Sequence, residues 1–123
     1  MKGARVLAAQ FIAAFLLAAL MWIALWQTLY WRFWWFDIPM HLLGGVWAAL
    51  CVSWVLARRG ETPPLLWCVV FTLAVGVAWE VFEYAEGITF PEYFSYPIDT
   101  AKDLGMNVIG AVIGWSLGNK LRT

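Results

Sequence analysis

The chain has 123 residues, no formal net charge, 63% hydrophobic residues and only 13% charged ones. A soluble domain averages about 45–50% apolar and about 25% charged residues, so the sequence reads as one integral membrane domain over 1–123. Without a basic excess, nucleic acid is excluded from the expected partners.

Four spans of about 20 residues fit the length with little left over. The first is expected over 6–30, which holds no charged residue and follows Lys2 and Arg5. A signal peptide has an apolar core of about 7–15 residues and a small-residue cleavage site. This run is longer and ends in bulky aromatics, so an uncleaved span is expected. The stretch from Tyr30 to Phe36 is aromatic at every position except Arg32, the composition of an interfacial belt. The second span is expected over 37–56, closed by Arg58, Arg59 and Gly60. The third is expected over 64–85, with Thr62 as candidate N-cap and Pro63 at the first helical position. The stretch from Gly87 to Ile98 is a long connection, lying on the membrane surface or folded over a site. The fourth span is expected over 99–119. Short connections make consecutive helices antiparallel neighbours. Cys51 and Cys68 sit inside apolar runs and read as small packing residues. The expected fold is therefore all-α, a bundle of four transmembrane helices.

Lys2, Arg5, Arg58, Arg59, Lys120 and Arg122 fall at one face of this bundle, whereas only Arg32 and Lys102 fall at the other. The positive-inside rule then places both termini in the cytoplasm. Seven acids collect at the opposite, outer face: Asp37, Glu80, Glu83, Glu86, Glu92, Asp99 and Asp103. Acids do not set topology, so their placement calls for another cause, and a site is the natural one.

Three helices carry polar pairs to that end. Asp37 and His41 are spaced i, i+4. Glu80 and Glu83 are spaced i, i+3. At about 100° per residue, Asp99, Asp103, Asn107, Gly110, Gly114 and Gly118 fall within an arc of about 100° on one helix. Each polar face continues into small residues: Gly44 and Ala48 after His41, Gly76 before Glu80, and the glycine ladder after Asn107. Small residues at that spacing let helix backbones approach closely in lipid, so the polar faces are expected to point inward. Asp37 and Asp99 sit at helix starts, where capping alone explains a carboxylate. His41, the only histidine, is as a lone residue a structural hydrogen-bonder or a ligand. Glu80 lies about a turn inside the membrane boundary, where an ionised carboxylate is costly and marks function. Glu86, Glu92 and Lys102 read as solvated or interfacial.

Several carboxylates at one depth need a counter-charge. A divalent cation such as magnesium, calcium, manganese or zinc answers this, with Asp37, His41, Glu80, Glu83, Asp99, Asp103 and Asn107 as the candidate ligand set. Shared protons are a second answer, and insertion of Arg32 or Lys102 a third. The expected function is a cation-binding site for the phosphate head group of a lipid or lipid-linked glycan. If the site carries chemistry, Glu80 or His41 is the candidate base, and nothing in the sequence positions a nucleophile. The rival readings are a proton- or ion-coupled transporter subunit, for which four spans suggest a homo-oligomer, and a structural or regulatory membrane subunit without chemistry.

The series Asp37-x-x-x-His41, Trp79-Glu80-x-x-Glu83 and Asp99-Thr100-x-x-Asp103-x-x-x-Asn107-x-x-Gly110-Ala111-x-x-Gly114 resembles the VanZ-like group of small bacterial membrane proteins. Within that group it is most similar to the YjdF-type inner-membrane proteins. The resemblance covers roughly Phe36 to Gly118 and differs at Ile38, where VanZ-like proteins tend to carry lysine, and at Glu83, where they tend to carry glutamine. It implies a small helical bundle in the bacterial inner membrane with a role at the cell envelope or its lipid-linked glycans.

The topology has a direct check. A reporter fused after Thr123 that is active only in the periplasm should be silent; activity there would reverse the orientation and move the acidic end to the cytoplasmic side.

Overall fold

Apolar runs of more than 20 residues, bounded by glycine or proline and free of interior breakers, satisfy their backbone groups most completely as helices. The computed structural model describes residues 2–87 and 95–122, and all of its regular structure is helical. The elements are α1 (Ala4–Trp26), α2 (Leu29–Arg32), α3 (Asp37–Arg59), α4 (Leu65–Glu86) and α5 (Tyr96–Leu121). By length and composition α1, α3 and α4 can each cross a membrane. At 26 residues α5 is longer still, but Asp99, Lys102, Asp103 and Asn107 make its first half too polar for the same criterion.

Several boundaries differ from expectation. The first span ends at Trp26, not Tyr30, because Thr28 adopts a left-handed conformation (φ 54°) before the short α2 begins. Neither Asp37 nor Asp99 is a cap: Phe36 and Ser95 hold those positions, and both acids lie in the first turn. Helix α5 starts at Tyr96, with Pro97 in its first turn where the missing N–H costs nothing. Likewise Pro64, not Thr62, precedes α4, and Pro63 lies before the helix. Helix α3 ends at Gly60 (φ 76°), whose left-handed turn lets Gly60 N–H and Glu61 N–H donate to the carbonyls of Ala57 and Leu56. Of the Gly87–Ile98 connection, 88–94 lie outside the described residues, as does Glu92.

Helix α3 is the hub. It packs most extensively on α5 and also on α1 and α4, and α4 packs on α5. Consecutive long helices run antiparallel, which makes α3 and α5 parallel. The α3–α5 seam is a backbone contact. A Cβ on Gly45 would collide with the Asn107 carbonyl oxygen, and one on Gly110 with the Leu42 carbonyl oxygen. One on Gly114 would sit 2.5 Å from the Val46 carbonyl oxygen and 2.9 Å from the Ala49 Cβ. The close contact beyond His41 is thus made by Gly45; a Cβ on Gly44, the residue expected there, would come no nearer than 4.0 Å to Asn107 Oδ1.

The interior carries the polarity. His41, Ser53, Thr72, Glu80, Asp103 and Asn107 are buried, whereas Phe11, Phe15, Trp22, Trp26, Leu66 and Trp67 are exposed. That inversion suits an apolar solvent. Within the aromatic stretch, Phe36 is buried and Tyr30 packs edge-on against it at 5.2 Å, so part of the expected belt is internal packing. Gly3 packs near Ala57 and Trp54, and Leu121 packs against the cluster of Val6 and Leu50. The start of α1 and the ends of α3 and α5 therefore share one end of the bundle, with the acidic cluster at the other. Both cysteines are free; Cys68 is buried and its thiol donates to the Ala49 carbonyl at 3.8 Å.

Two glycines on α5 should respond in opposite directions. Gly105 has open space around its missing Cβ, so Gly105→Ala should stabilise the detergent-solubilised protein by up to about 1 kcal/mol. Gly110→Ala forces the α3–α5 backbones apart and should cost at least about 1–3 kcal/mol. Equal shifts in thermal melts would contradict the seam.

Candidate functional site

Asp103 is the centre of the acidic end. It has no exposed surface, because the glycines below it draw α5 onto α3 and Gly76 draws α4 onto Asn107 and Leu104. On one side His41 Nε2 lies 3.4 Å from Asp103 Oδ2 and 3.3 Å from Asp37 Oδ1. On the other side lie Glu80 and Glu83. Two sets of ligand-type atoms converge within 4.8 Å, Asp37–His41–Asp103 and Glu80–Glu83–Asp103, and Asp103 belongs to both.

Lys102 joins the cluster. Its Nζ lies 3.1 Å from Asp99 Oδ1, 3.5 Å from Asp103 Oδ1 and 3.9 Å from Asp37 Oδ2. Of the two expectations for this lysine, solvated or interfacial on one hand and inserted among the acids on the other, the partly exposed side chain takes the second: the turn of helix that buries Asp103 also carries its neighbour over the carboxylates. Arg32, the other candidate cation, stacks over the Phe33 ring at 5.5 Å instead. Five carboxylates thus gather around one lysine and one histidine.

Hydrogen bonds satisfy only part of this charge. Thr100 Oγ1 donates to Glu80 Oε2 at 3.4 Å, and Trp79 Nε1 donates to Glu83 Oε1 at 2.7 Å. Glu80 Oε1 and both Asp103 oxygens are buried without a hydrogen-bond partner. Glu80 itself is 4% exposed. Burying a carboxylate without compensation is expensive, so an arrangement of this kind needs a counter-charge or a proton.

Of the seven residues expected at the site, five converge: Asp37, His41, Glu80, Glu83 and Asp103. The other two lie outside both ligand sets. Asp99 is turned to Lys102, a consequence of their i, i+3 spacing. Asn107 lies one turn below, wedged at Gly45 and Gly76 as part of the helix seam. Lys102, expected only as one possible inserted partner, and the indole of Trp79, not expected at all, both take part. The i, i+3 and i, i+4 spacings to Asp99 and Glu83 were the available signals.

A cleft opens beside the cluster. It has a volume of about 430 Å³ and separates α1 from α4, with α3 as its floor. Met21, Tyr30, Asp37, His41 and Trp79 surround its polar end, and Ala14, Trp47 and Thr72 its far end. Tyr30 lies outside the long helices, and burial, then the nearby Asp37 carboxylate, pushes its phenol above its ordinary value. It therefore stays neutral at the mouth of the cleft.

The sequence profile of a family described as a predicted membrane protein, DUF2238, matches residues 4–123. No curated protein and no solved structure matches the chain.

The dependence of the cluster on Lys102 is open to a double-mutant cycle. Lys102→Met leaves Asp103 buried without its lysine and should destabilise the protein by up to about 3–5 kcal/mol. Adding Asp103→Asn should recover most of that loss. Asp99→Asn, at a partly exposed carboxylate, should cost below about 1 kcal/mol. Additive effects of the first two substitutions would show that Lys102 and Asp103 do not interact.

Proposed function

The chain belongs to DUF2238, a family of predicted membrane proteins, and we propose that it is a four-span protein of the bacterial inner membrane whose outward-facing acidic centre binds a divalent cation. Through that cation it engages the phosphate head group of a lipid or lipid-linked glycan of the cell envelope. The observation that carries this reading is the pair of buried carboxylates, Glu80 and Asp103, which Lys102, His41 and the Thr100 hydroxyl answer only in part, leaving Glu80 Oε1 and both Asp103 oxygens without a hydrogen bond.

The geometry around His41 favours a cation further. One ring nitrogen faces two carboxylate oxygens at 3.3 and 3.4 Å. A single N–H cannot serve both well. Ligand atoms bonded to a tetrahedral ion at about 2.0–2.1 Å stand about 3.3 Å from one another. Zinc suits the set with the imidazole, whereas magnesium, calcium or manganese suits the all-oxygen set of Glu80, Glu83 and Asp103. A hard cation that keeps open positions bridges readily to phosphate oxygens. The similarity to the VanZ-like group supports a cell-envelope setting. In this topology α5 is the fourth span, its polar first half covered by α3 and α4.

A second reading rests on the contiguity of the same groups. Asp37, His41, Asp103 and Glu80 form an unbroken series of titratable side chains, the composition of a proton relay in a coupled transporter. In that case stability responds to pH and ignores divalent cations.

The test is a set of thermal melts with chelator and then with magnesium, calcium, manganese or zinc at fixed ionic strength. A cation at about 100 times its dissociation constant should stabilise the wild type by about 2.7 kcal/mol. Asp103→Asn, which touches both ligand sets, should abolish the shift. His41→Gln should abolish it for a cation bound with the imidazole, and Glu80→Gln for one bound by oxygen alone. A wild type that no cation shifts would end the cation reading.

A further inference from the structure

The cleft between α1 and α4 is not required by the cation site, yet it runs directly to it. Its lining covers Thr72 to Trp79 on α4 and Asp37 to Trp47 on α3, a length of about 10–15 Å at 1.5 Å per residue. At about 430 Å³ the cleft falls within the range of small-ligand pockets, about 300–1,000 Å³, and its narrow, elongated lining suits a thin chain. Ala14, Leu17 and Ala18 on one wall and Val75 on the other leave it apolar over most of its length. Gly44 keeps the floor low: a Cβ there would meet only Asn107 Oδ1, at 4.0 Å. The ionisable lining, Asp37, His41 and Tyr30, stands at one end, and the Thr72 hydroxyl is the polar group at the other. An occupant must then be thin and apolar along its length and polar at one end.

We infer that the cleft between α1 and α4 holds one acyl chain of a membrane phospholipid, with the lipid's phosphate turned to the Asp37–His41 end. The orientation of the head group rests on the cation reading above, because an uncompensated phosphate would be repelled by the carboxylates; the seating of the chain does not. The slot selects one chain and leaves the second in the surrounding bilayer.

The experiment fills the slot from two walls. Ala18→Trp places an indole into it from α1, and Gly44→Leu raises the floor from α3. Each variant and the wild type are purified in mild detergent with bacterial phosphatidylglycerol and phosphatidylethanolamine, and retained lipid is counted by native mass spectrometry. The same samples are melted with and without the divalent cations. The wild type should retain one phospholipid, and both variants should retain less by at least about tenfold while any cation-dependent shift of the melt persists. Equal retention in the wild type and in correctly folded variants overturns the inference, as does a dimer in place of bound lipid. Loss of retention in the variants together with a wild type that no cation shifts would support the chain-binding slot and overturn only the cation reading.

Discussion

The burial of Asp103 is the constraint around which this bundle is built. A carboxylate with no exposed surface is tolerated only where its surroundings supply a counter-charge or a proton, and three helices meet around it. Helix α3 contributes His41 and α5 contributes Lys102, while α4 brings a second buried acid, Glu80, that adds to the same demand. The backbone seam makes this possible. Glycine at 45, 110 and 114 removes the side chains that would hold α3 and α5 apart, so the turn above the seam is pressed into the interior. Packing in lipid has little hydrophobic drive of its own. Here close van der Waals contact along the seam offsets the cost of a polar centre at its end.

The same logic accounts for the position of the cleft. Where α3 and α5 meet backbone to backbone there is no space. Where α1 crosses α3 through larger side chains, space remains toward α4, and it ends at Asp37 and His41. An apolar channel from the lipid to a charged centre is the shape that an amphiphile requires, which joins the proposed cation site and the proposed chain site into one surface.

Much of this arrangement was legible in the order of residues. The stripe from Asp103 through Asn107 to Gly110, Gly114 and Gly118 of α5 has a helical period, and period alone determines which residues share a face. The burial of Asp103, Asn107, Gly110, Gly114 and Gly118 follows from it. What period cannot determine is the choice between near neighbours. Gly44 and Gly45 both lie within about 60° of His41 on the helix, and only the partner backbone selects Gly45. Nor does composition distinguish a lysine in water from one folded over acids: Lys102 reads as interfacial until Asp103 is known to be fully buried. Helix α3 starts at Asp37 as expected, with Phe36 rather than the acid in the cap position, whereas α5 starts three residues earlier than expected, with Ser95 before it. In α5 the signal was present, since Pro97 belongs in a first helical turn. The aromatic stretch was misread in part because a belt and an internal packing cluster share one composition.

The account turns on whether the two sets of side chains that share Asp103 hold an ion, and diffraction can ask this directly. Crystals grown with each divalent cation, measured across the absorption edge of manganese or zinc, should give an anomalous peak within bonding distance of Asp103, between either Asp37 and His41 or Glu80 and Glu83. Crystals that give no anomalous peak there, with well-ordered density for Asp103 and its neighbours in the presence of saturating cation, would contradict it.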